Sequence, residues 1–276
     1  MGISPKKELL RFLAEDIGSG DITSKLLPRK KIKARIISRQ NGVIAGVNYA
    51  KEIFLSRGCK VKILKKDGNK IKPKDVILEI QGLAQAILSC ERTALNLLSR
   101  MSGIATQTSN LVEKIRKVNP RTKLYATRKT APGLRFFDKE AVNIGGGEKH
   151  RMSLDKLVML KDNHLAVSGS LSRLISKARK KYKIIEVEVE NQEDALLAAV
   201  SGATIIMLDN FSTKEISKTI NNLKKAKLRK RVKLEASGGI NSKNIQSYAK
   251  SGVDMISVGE ITNSVSGIDL TLEVVK

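Results

Sequence analysis

Four short apolar stretches in the second half of the chain each end in residues that could do chemistry. These endings are Thr127 to Lys129, Lys161 to His164, the glutamates of residues 186–190, and Asp209 with Asn210. In a barrel of parallel strands, the reacting groups lie on the loops at the carboxyl ends of the strands. The sequence therefore predicts that acids and cations from all four endings meet on one rim.

The cations at or near these endings suit an anionic ligand. They are Arg128, Lys129, His150, Arg151 and Lys161. Arginine can bind a carboxylate through two parallel N–H groups, and lysine adds a compact charge. His150 stands between two cations in a loop that begins with three glycines, which favours a place at the rim over a place in the core. We therefore predict a site for a polyanion.

Three glutamates, Glu186, Glu188 and Glu190, alternate with two valines, so their side chains point to one face of a strand. Both faces of a parallel sheet covered by helices are normally apolar. Carboxylates there need cations, a metal ion or substrate hydroxyls to offset their lost hydration. We predict a functional role for Glu188, whereas Glu186 and Glu190 either share that role or pair with lysines inside the barrel.

The last two apolar stretches end in triplets that contain glycine. These triplets are Ser237, Gly238 and Gly239, and Val258, Gly259 and Glu260. Glycine lets backbone N–H groups approach a phosphate, and the loops after the final strands of a barrel often bind one. An ordinary strand-to-helix turn would also use the first triplet, but the two triplets together favour a phosphate site.

Repeated βα units account for the spacing of the apolar stretches. The predicted strands are residues 124–127, 157–161, 184–190, 204–208, 232–236 and 255–258. Helical patterns such as residues 192–200 and 242–251 separate them. Alternation of this kind predicts an α/β barrel of the TIM type, incomplete, with six or seven strands.

The first part of the chain has a different pattern. Residues 34–47 and 59–81 read as strands and turns, which predicts a separate N-terminal α+β domain with an open sandwich fold. A long helix is predicted over residues 84–118, with a break at Gly103, and residues 268–275 should return to the first domain as a strand or helix. The expected domains are residues 1–103 and 104–263, with 264–276 as the returning segment.

Composition narrows the class of protein less than the motifs do. The 276 residues carry a formal charge of +25, but only residues 224–233 form a dense cationic patch, and aromatic residues are 3% of the chain. Few rings are available to stack on bases, so we read the patch as a solvated helix end and expect no nucleic-acid partner. Cys59 and Cys90 have no disulfide or zinc spacing, and neither a signal peptide nor a membrane-length apolar run is present. We expect a cytoplasmic protein without a membrane partner.

In their order along the chain, the motifs resemble those of the quinolinate phosphoribosyltransferases, also called nicotinate-nucleotide pyrophosphorylases (carboxylating). The resemblance runs nearly end to end, and the ordered combination is highly specific although each piece alone is weak. The motifs are EDIGSGDIT (15–23), ERTALNLLSRMSGIAT (91–106), TRKTAPGLR (127–135), GGGEKHR (145–151), KDNH (161–164), EVEVE (186–190), LDN (208–210), SGG (237–239) and VGE (258–260).

The resemblance implies a fold and an assembly. The fold is a small open sandwich followed by an incomplete barrel, which agrees with the pattern of the strands. The assembly is a homodimer, or a hexamer built from dimers, in which Arg92 reaches across the interface to the quinolinate of the neighbouring subunit.

The resemblance also implies roles for residues within one subunit. The substrate-binding residues would be Thr127, Arg128, Lys129, His150, Arg151, Lys161, Glu188, Asp209, Ser237, Gly238, Gly239, Val258, Gly259 and Glu260. Among these, Lys129, Glu188 and Asp209 would be catalytic. Glu188 and Asp209 would also hold Mg²⁺, directly or through other ligands.

The implied reaction moves a phosphoribosyl group from phosphoribosyl pyrophosphate to quinolinate, with decarboxylation. Its products are nicotinate mononucleotide, carbon dioxide and pyrophosphate, in the de novo biosynthesis of NAD. Two details depart from the usual family pattern: Glu148 and Lys149 stand where an asparagine-containing pair is common, and Glu260 places a carboxylate beside the phosphate loop.

Three other functions are compatible with parts of the sequence. A related protein associated with molybdenum transport shares the scaffold, but the complete set of cations argues against it. Transfer to nicotinate without decarboxylation would need fewer cations. A basic nucleic-acid-binding protein would explain the charge but would leave the polar strand ends without a role.

Overall fold

The computed structural model describes residues 4–275, which form two compact units. The first unit comprises the described residues up to Ser109, residues 131–146 and the described residues from Ser264 onward. The second comprises residues 110–130 and 147–263. Within the described residues, no helix is both long and apolar enough to cross a bilayer.

Helices and strands alternate along most of the chain. In order they are α1 (Pro5–Ile17), β1 (Lys31–Ser38), β2 (Gly42–Val43), α2 (Val47–Ser56), β3 (Lys60–Ile63), β4 (Lys70–Ile71), β5 (Val76–Leu83), α3 (Ala84–Arg116), β6 (Lys123–Ala126), α4 (Arg135–Ile144), β7 (Val158–Leu160), α5 (Asp162–Ser168), α6 (Leu171–Arg179), β8 (Ile185–Val189), α7 (Gln192–Ser201), β9 (Ile205–Asp209), α8 (Thr213–Lys225), β10 (Lys233–Ser237), α9 (Ile245–Lys250), β11 (Met255–Val258), α10 (Glu260–Asn263) and β12 (Leu270–Val275). Short 3-10 turns cover Ser24–Leu26 and Arg229–Arg231.

The first unit contains an antiparallel sheet in the order β12, β1, β5, β3. Strand β1 alternates exposed lysine and arginine with buried Ala34, Ile36 and Ser38, as a half-buried strand requires. The last strand, β12, pairs with β1 and places Leu272 opposite Ile36. The predicted α+β fold of this region and the return of the C-terminal segment are both confirmed, and the segment returns as a strand.

Two helices of the first unit differ from the sequence prediction. Helix α2 begins at Val47, which was predicted to end a stretch of strands and turns. The preceding Gly46 has φ of 91°, a left-handed conformation that glycine adopts at little cost and that turns the chain into the helix. Helix α1 was not predicted, although Pro5 stands in its first turn and Leu9 and Leu13 are buried one turn apart.

The predicted break in the long helix at Gly103 is wrong, because α3 continues from Ala84 to Arg116. Gly103 serves packing instead. A Cβ atom at this position would lie 2.1 Å from the carbonyl oxygen of Ser266. Only glycine therefore lets the backbone around Ser266 and Gly267 lie against this face of the helix.

The second unit is the incomplete TIM-like barrel that the sequence predicted. Its six strands are all parallel, in the order β6, β11, β10, β9, β8, β7, and each begins and ends within one residue of its predicted position. Next to the edge strand β6, Glu148 donates its N–H to the Leu124 carbonyl at 2.8 Å and accepts the Ala126 N–H at 2.9 Å. The sheet therefore extends for one residue beyond β6.

Helix caps hold the rim of the barrel in place. Asn191, two residues after the end of β8, accepts the Asp194 N–H and begins α7. Ser212, three residues after β9, forms a reciprocal capping box with Glu215 at the start of α8. Each cap contributes about 1 kcal/mol and keeps the loop between strand and helix short. The polar residues at the strand ends are thereby held close to the sheet.

Replacing Gly103 with alanine should destabilise the protein. Helix propensity alone would favour alanine by about 1 kcal/mol. The new Cβ would nevertheless meet a backbone carbonyl, which cannot turn aside as a side chain can, so we expect a net loss of about 1–3 kcal/mol, the usual cost of overpacking. Scanning calorimetry should show a lower Tm.

The matched control is Asn110→Ala, at an exposed position of the same helix. Its Tm should equal or slightly exceed that of the wild type, since alanine is the better helix former. A Gly103→Ala protein with wild-type Tm would contradict the close-packing explanation.

Candidate active site

A cavity of about 330 Å³ opens at the carboxyl ends of the barrel strands. It brings together nine of the predicted site residues: Thr127, Arg128, Lys129, His150, Arg151, Lys161, Glu188, Asp209 and Ser237. The prediction that the strand ends share one rim is therefore confirmed for these residues. The cavity combines cations, carboxylates and hydroxyls, as a site for a charged, hydroxyl-bearing ligand would.

The first unit contains a larger cavity, of about 520 Å³. Its lining includes Arg100, but that guanidinium already binds both carboxylate oxygens of Asp138, at 2.7 and 2.9 Å. Arg92, predicted to act across a subunit interface, lies exposed on α3 in this unit. Because the polar strand ends and the raised pKa of His150 belong to the barrel cavity, we place the chemistry there.

The cations of the barrel cavity differ in their surroundings. The Lys161 ammonium donates to a carboxylate oxygen of Glu188. The Nη1 of Arg151 donates to the Leu157 carbonyl at 3.1 Å. The Nε of Arg128 is buried and has no hydrogen-bond partner among the described residues. A buried donor of this kind is expected to meet a ligand or water, so it favours an anion in the cavity.

Two carboxylates, Glu188 and Asp209, line the cavity from neighbouring strands. Asp209 accepts the side-chain N–H of Asn210 at 2.8 Å. Asn210 has φ of 57°, which asparagine tolerates better than most residues, and its backbone N–H reaches the Ser237 carbonyl at 2.9 Å. This turn ties the ends of β9 and β10 together and keeps Asp209 on the rim.

The third glutamate predicted to point inward, Glu190, does not do so. Strand β8 ends at Val189, so Glu190 lies one residue beyond the strand and is exposed. Glu186, in contrast, lies entirely inside the barrel, with 0% exposure.

The glycine-containing triplets adopt the conformations that close backbone approach requires. Gly238 and Gly239 have φ of 87° and 62°, and a Cβ on Gly238 would lie 2.2 Å from the Asn210 side chain. A Cβ on Gly259 would lie 3.1 Å from Lys129. Val258 is the buried last residue of β11, and Glu260 is exposed. Gly238 and Gly259 therefore stand where neighbouring side chains leave little room for a Cβ atom, and the role of the two loops in phosphate binding stays a prediction.

Beneath the rim, His150 lies between two buried carboxylates. Its Nε2 is 3.3 Å from a Glu186 oxygen and 3.4 Å from a Glu235 oxygen, and both glutamates are 0% exposed. Ser257 donates its hydroxyl to Glu235, and the Tyr125 ring meets the imidazole edge to face at 5.8 Å. The ligand atoms of the three ionisable groups lie within 4.8 Å of one another, close enough for a metal ion as well as for an ion pair.

The electrostatics of this cluster favour retention of a proton. Burial opposes a charged imidazole, but the two carboxylates outweigh it and raise the pKa of His150 to about 9. Burial also raises the pKa of Glu186, although His150 counteracts the shift. The cluster therefore keeps a proton at neutral pH. Two isolated carboxylates and a free histidine would have mostly lost it at that pH.

Sequence reasoning missed Glu235 and Ser257. Both carry a readable signal, since each stands two residues before a rim residue, Ser237 or Gly259, on the same strand. The period of two in a β-strand then places each of them on the same face as its rim residue, one layer deeper. The contact of Glu235 with His150 could not be predicted in this way, because it depends on where a distant loop enters the barrel.

Comparison with known proteins identifies the relatives of the whole chain. The model for "Quinolinate phosphoribosyl transferase, C-terminal domain" matches residues 104–273, and the N-terminal domain model of the same family matches residues 21–102. A protein of Archaeoglobus fulgidus, named probable nicotinate-nucleotide pyrophosphorylase (carboxylating), is 46% identical over 93% of this chain and 99% of its own length. A Rattus norvegicus protein named nicotinate-nucleotide pyrophosphorylase (carboxylating) is 36% identical over 95% of this chain and 88% of its own.

Solved structures agree with these matches. Nicotinate-nucleotide pyrophosphorylase from Ehrlichia chaffeensis is 36% identical, with a TM-score of 0.93 and complete coverage of both chains. The enzyme of that name from Francisella tularensis is also 36% identical, with a TM-score of 0.90 over 99% of this chain and 98% of its own.

The stability of the protein should decrease as the pH rises through about 9. His150 has a raised pKa in the folded state and an ordinary value near 6.5 when unfolded. Its contribution is therefore complete below about pH 6.5 and is lost as the pH passes the folded value. The loss is at most roughly 3–4 kcal/mol, since one pKa unit corresponds to about 1.4 kcal/mol.

Calorimetry between pH 6 and 10 checks this, with the double variant Glu186→Gln/Glu235→Gln as reference. The reference lacks the carboxylates that raise the pKa, and all other titrating groups cancel in the comparison. The difference in Tm, wild type minus variant, should decrease between pH 6.5 and 9. A constant difference would show that His150 has no raised pKa.

Proposed function

The chain belongs to the quinolinate phosphoribosyl transferase family, and we propose that it transfers a phosphoribosyl group from phosphoribosyl pyrophosphate to quinolinate with decarboxylation. The products are nicotinate mononucleotide, carbon dioxide and pyrophosphate, so the chain is a pentosyltransferase of de novo NAD biosynthesis. One observation carries this proposal: a single cavity in the barrel joins the family's cations and carboxylates from five separate loops.

Recognition of quinolinate rests on the cations of the cavity. Quinolinate carries two adjacent carboxylates, and Arg128, Arg151 and Lys161 supply two planar forks and a point charge. The buried Nε of Arg128 supports this role, because a ligand oxygen would satisfy it. Lys129, exposed at the rim beside Gly259, adds positive charge where the diphosphate of the second substrate would lie.

The ribose and its metal ion would be held on the opposite side of the rim. Glu188 and Asp209 offer carboxylate oxygens from adjacent strands, and Mg²⁺ is usually held by one or two carboxylates together with substrate phosphates. The donor set therefore fits Mg²⁺. When bound, the ion would neutralise charge on the departing diphosphate. The same two carboxylates would bind the ribose hydroxyls.

The 5-phosphate would meet the glycine-containing loops. Gly238 and Gly239 have left-handed backbone conformations, of the kind that can turn backbone N–H groups toward an anion. Residues 258–260 would complete this site through their backbone, with the exposed Glu260 side chain turned to solvent.

The chemistry then follows from the charges on the rim. The pyridine nitrogen of quinolinate attacks the anomeric carbon from the face opposite the departing diphosphate, and positive charge builds on the sugar. The carboxylates of Glu188 and Asp209 favour that state electrostatically, and the cations hold the two substrates in line. Once alkylated, the positively charged nitrogen accepts the electrons released as the adjacent carboxylate leaves as carbon dioxide. A proton then replaces the lost carboxylate.

We further infer an assembly of at least two subunits, with Arg92 of each reaching the quinolinate of its neighbour. The exposure of Arg92 on α3 supports this role. A hexamer built from such dimers would preserve it. A metabolic reaction on small soluble substrates is consistent with a cytoplasmic location. No observation favours the molybdenum-transport relative, transfer to nicotinate or nucleic-acid binding.

Turnover with quinolinate, phosphoribosyl pyrophosphate and Mg²⁺ should yield nicotinate mononucleotide and carbon dioxide in equal amounts. Lys129→Ala and Glu188→Ala should each reduce kcat by about 100- to 1,000-fold, the usual cost of removing one preorganised electrostatic group. Lys225→Ala, an exposed lysine at the end of α8, is the matched control and should retain full activity. Absence of product from folded protein supplied with metal would refute the proposed function.

The Asp209→Asn protein should need more Mg²⁺ than the wild type. An amide keeps the shape of the side chain but loses its charge, so we expect the half-saturating Mg²⁺ concentration to rise roughly tenfold, as for loss of a metal-site partner. Titration of activity with Mg²⁺ at saturating substrates measures the shift. An unchanged Mg²⁺ requirement would mean that the substrate holds the ion without Asp209.

A further inference from the structure

The interior of the barrel beneath the rim is polar where apolar layers are usual. Inward-facing residues of a parallel barrel normally form layers of valine, isoleucine and leucine. Here the layer below the rim contains Glu186 and Glu235, both 0% exposed, together with Ser257, which is 3% exposed. The proposed reaction assigns no role to any of the three. Their cost in lost hydration calls for a function.

Both ring nitrogens of His150 lie close to groups of the protein. The Nε2 atom faces the carboxylates of Glu186 and Glu235 at 3.3 and 3.4 Å. The Nδ1 atom lies 2.7 Å from the backbone nitrogen of Arg151. The imidazole therefore lies between the cations of the cavity and the two buried carboxylates.

The backbone shows that His150 fixes the path of its loop. It has φ of 52°, a left-handed conformation that is uncommon for residues other than glycine, although histidine adopts it more often than most. Two residues earlier, Glu148 is held beside β6 by two backbone hydrogen bonds. The loop is therefore fixed to the sheet at Glu148 and to the barrel interior at His150, and the next residue is Arg151.

The loop that is fixed in this way carries Arg151, which can contact the substrate. Arg151 lines the cavity, and its Nη1 is held on the Leu157 carbonyl. Burial lowers the pKa of Arg151, and the neighbouring positive charge of Arg128 lowers it further. The charges of Glu186 and Glu188 counteract the effect of Arg128. The path of the loop therefore decides how the Arg151 guanidinium is placed between these opposing charges.

We propose that Glu186 and Glu235 are positioning residues, which act through the ring of His150 to fix the loop that presents Arg151 to a carboxylate of quinolinate. His150 is the connector in this arrangement. Ser257 supports it by holding Glu235. The inference rests on the proposed function, since it specifies how that site recognises its dicarboxylate.

The test uses Glu235→Gln, which preserves shape and removes charge below the rim. We expect the KM for quinolinate to rise roughly 10- to 100-fold, the effect of misplacing a binding group by about 1 Å. The KM for phosphoribosyl pyrophosphate should rise by a much smaller factor. Glu235 precedes Ser237 on β10, but the change from carboxylate to amide leaves the backbone that is proposed to meet the 5-phosphate in place. A general loss of structure would raise the KM for both substrates, so equal effects on the two KM values would overturn the proposal.

A double-variant cycle with Arg151→Lys tests the connection. If Glu235 acts through Arg151, adding Glu235→Gln to Arg151→Lys should raise the KM for quinolinate little further. Additive effects would overturn the proposal, since they would mean that Glu235 acts by another route.

A milder variant guards against misfolding of Glu235→Gln. Ser257→Ala removes only the hydroxyl that holds Glu235 and should raise the quinolinate KM in the same direction by a smaller factor. Ser217→Ala, an exposed serine of α8, is its control and should be unchanged. Wild-type turnover with unaltered KM in both Glu235→Gln and Ser257→Ala would refute this inference alone. No turnover in the wild type would refute the proposed function with it.

Discussion

The site depends on one constraint: two carboxylates are buried inside a barrel and require a partner. Glu186 and Glu235 have 0% exposure, and a buried carboxylate without a partner costs several kcal/mol. The imidazole of His150 faces both of them, at 3.3 and 3.4 Å. The loop that follows Gly147 must therefore enter the barrel far enough to bring His150 between them. That entry determines where the cationic loop lies on the rim above.

The barrel divides its work between two layers. The period of two along each strand places Glu188 and Ser237 at the rim directly after Glu186 and Glu235 in the layer below. The lower layer sets His150 between the carboxylates of Glu186 and Glu235. The rim keeps Arg128, Lys129 and Asp209 at an open cavity, where a charged substrate can complete their interactions. Rigid support beneath a reactive rim is what accurate positioning of two substrates requires.

The sequence predicted the barrel well because each strand is a short β-branched stretch bounded by polar residues. The sequence prediction failed where contacts between residues far apart in the chain determine the structure. The role of Gly103 depends on Ser266, which is far away in the chain, so a glycine in a helix was read as a break. Helix α1 had local signals in Pro5 and Leu9 that were not used. Glu235 could be inferred from its spacing to Ser237, but the partner of its carboxylate could not, since His150 reaches it only in the folded barrel.

A crystal structure with quinolinate bound and no second substrate would test the central claim most directly. The account predicts that the imidazole of His150 stays on Glu186 and Glu235 while Arg151 contacts a quinolinate carboxylate. An imidazole turned away from the two glutamates and bonded to the ligand would contradict it.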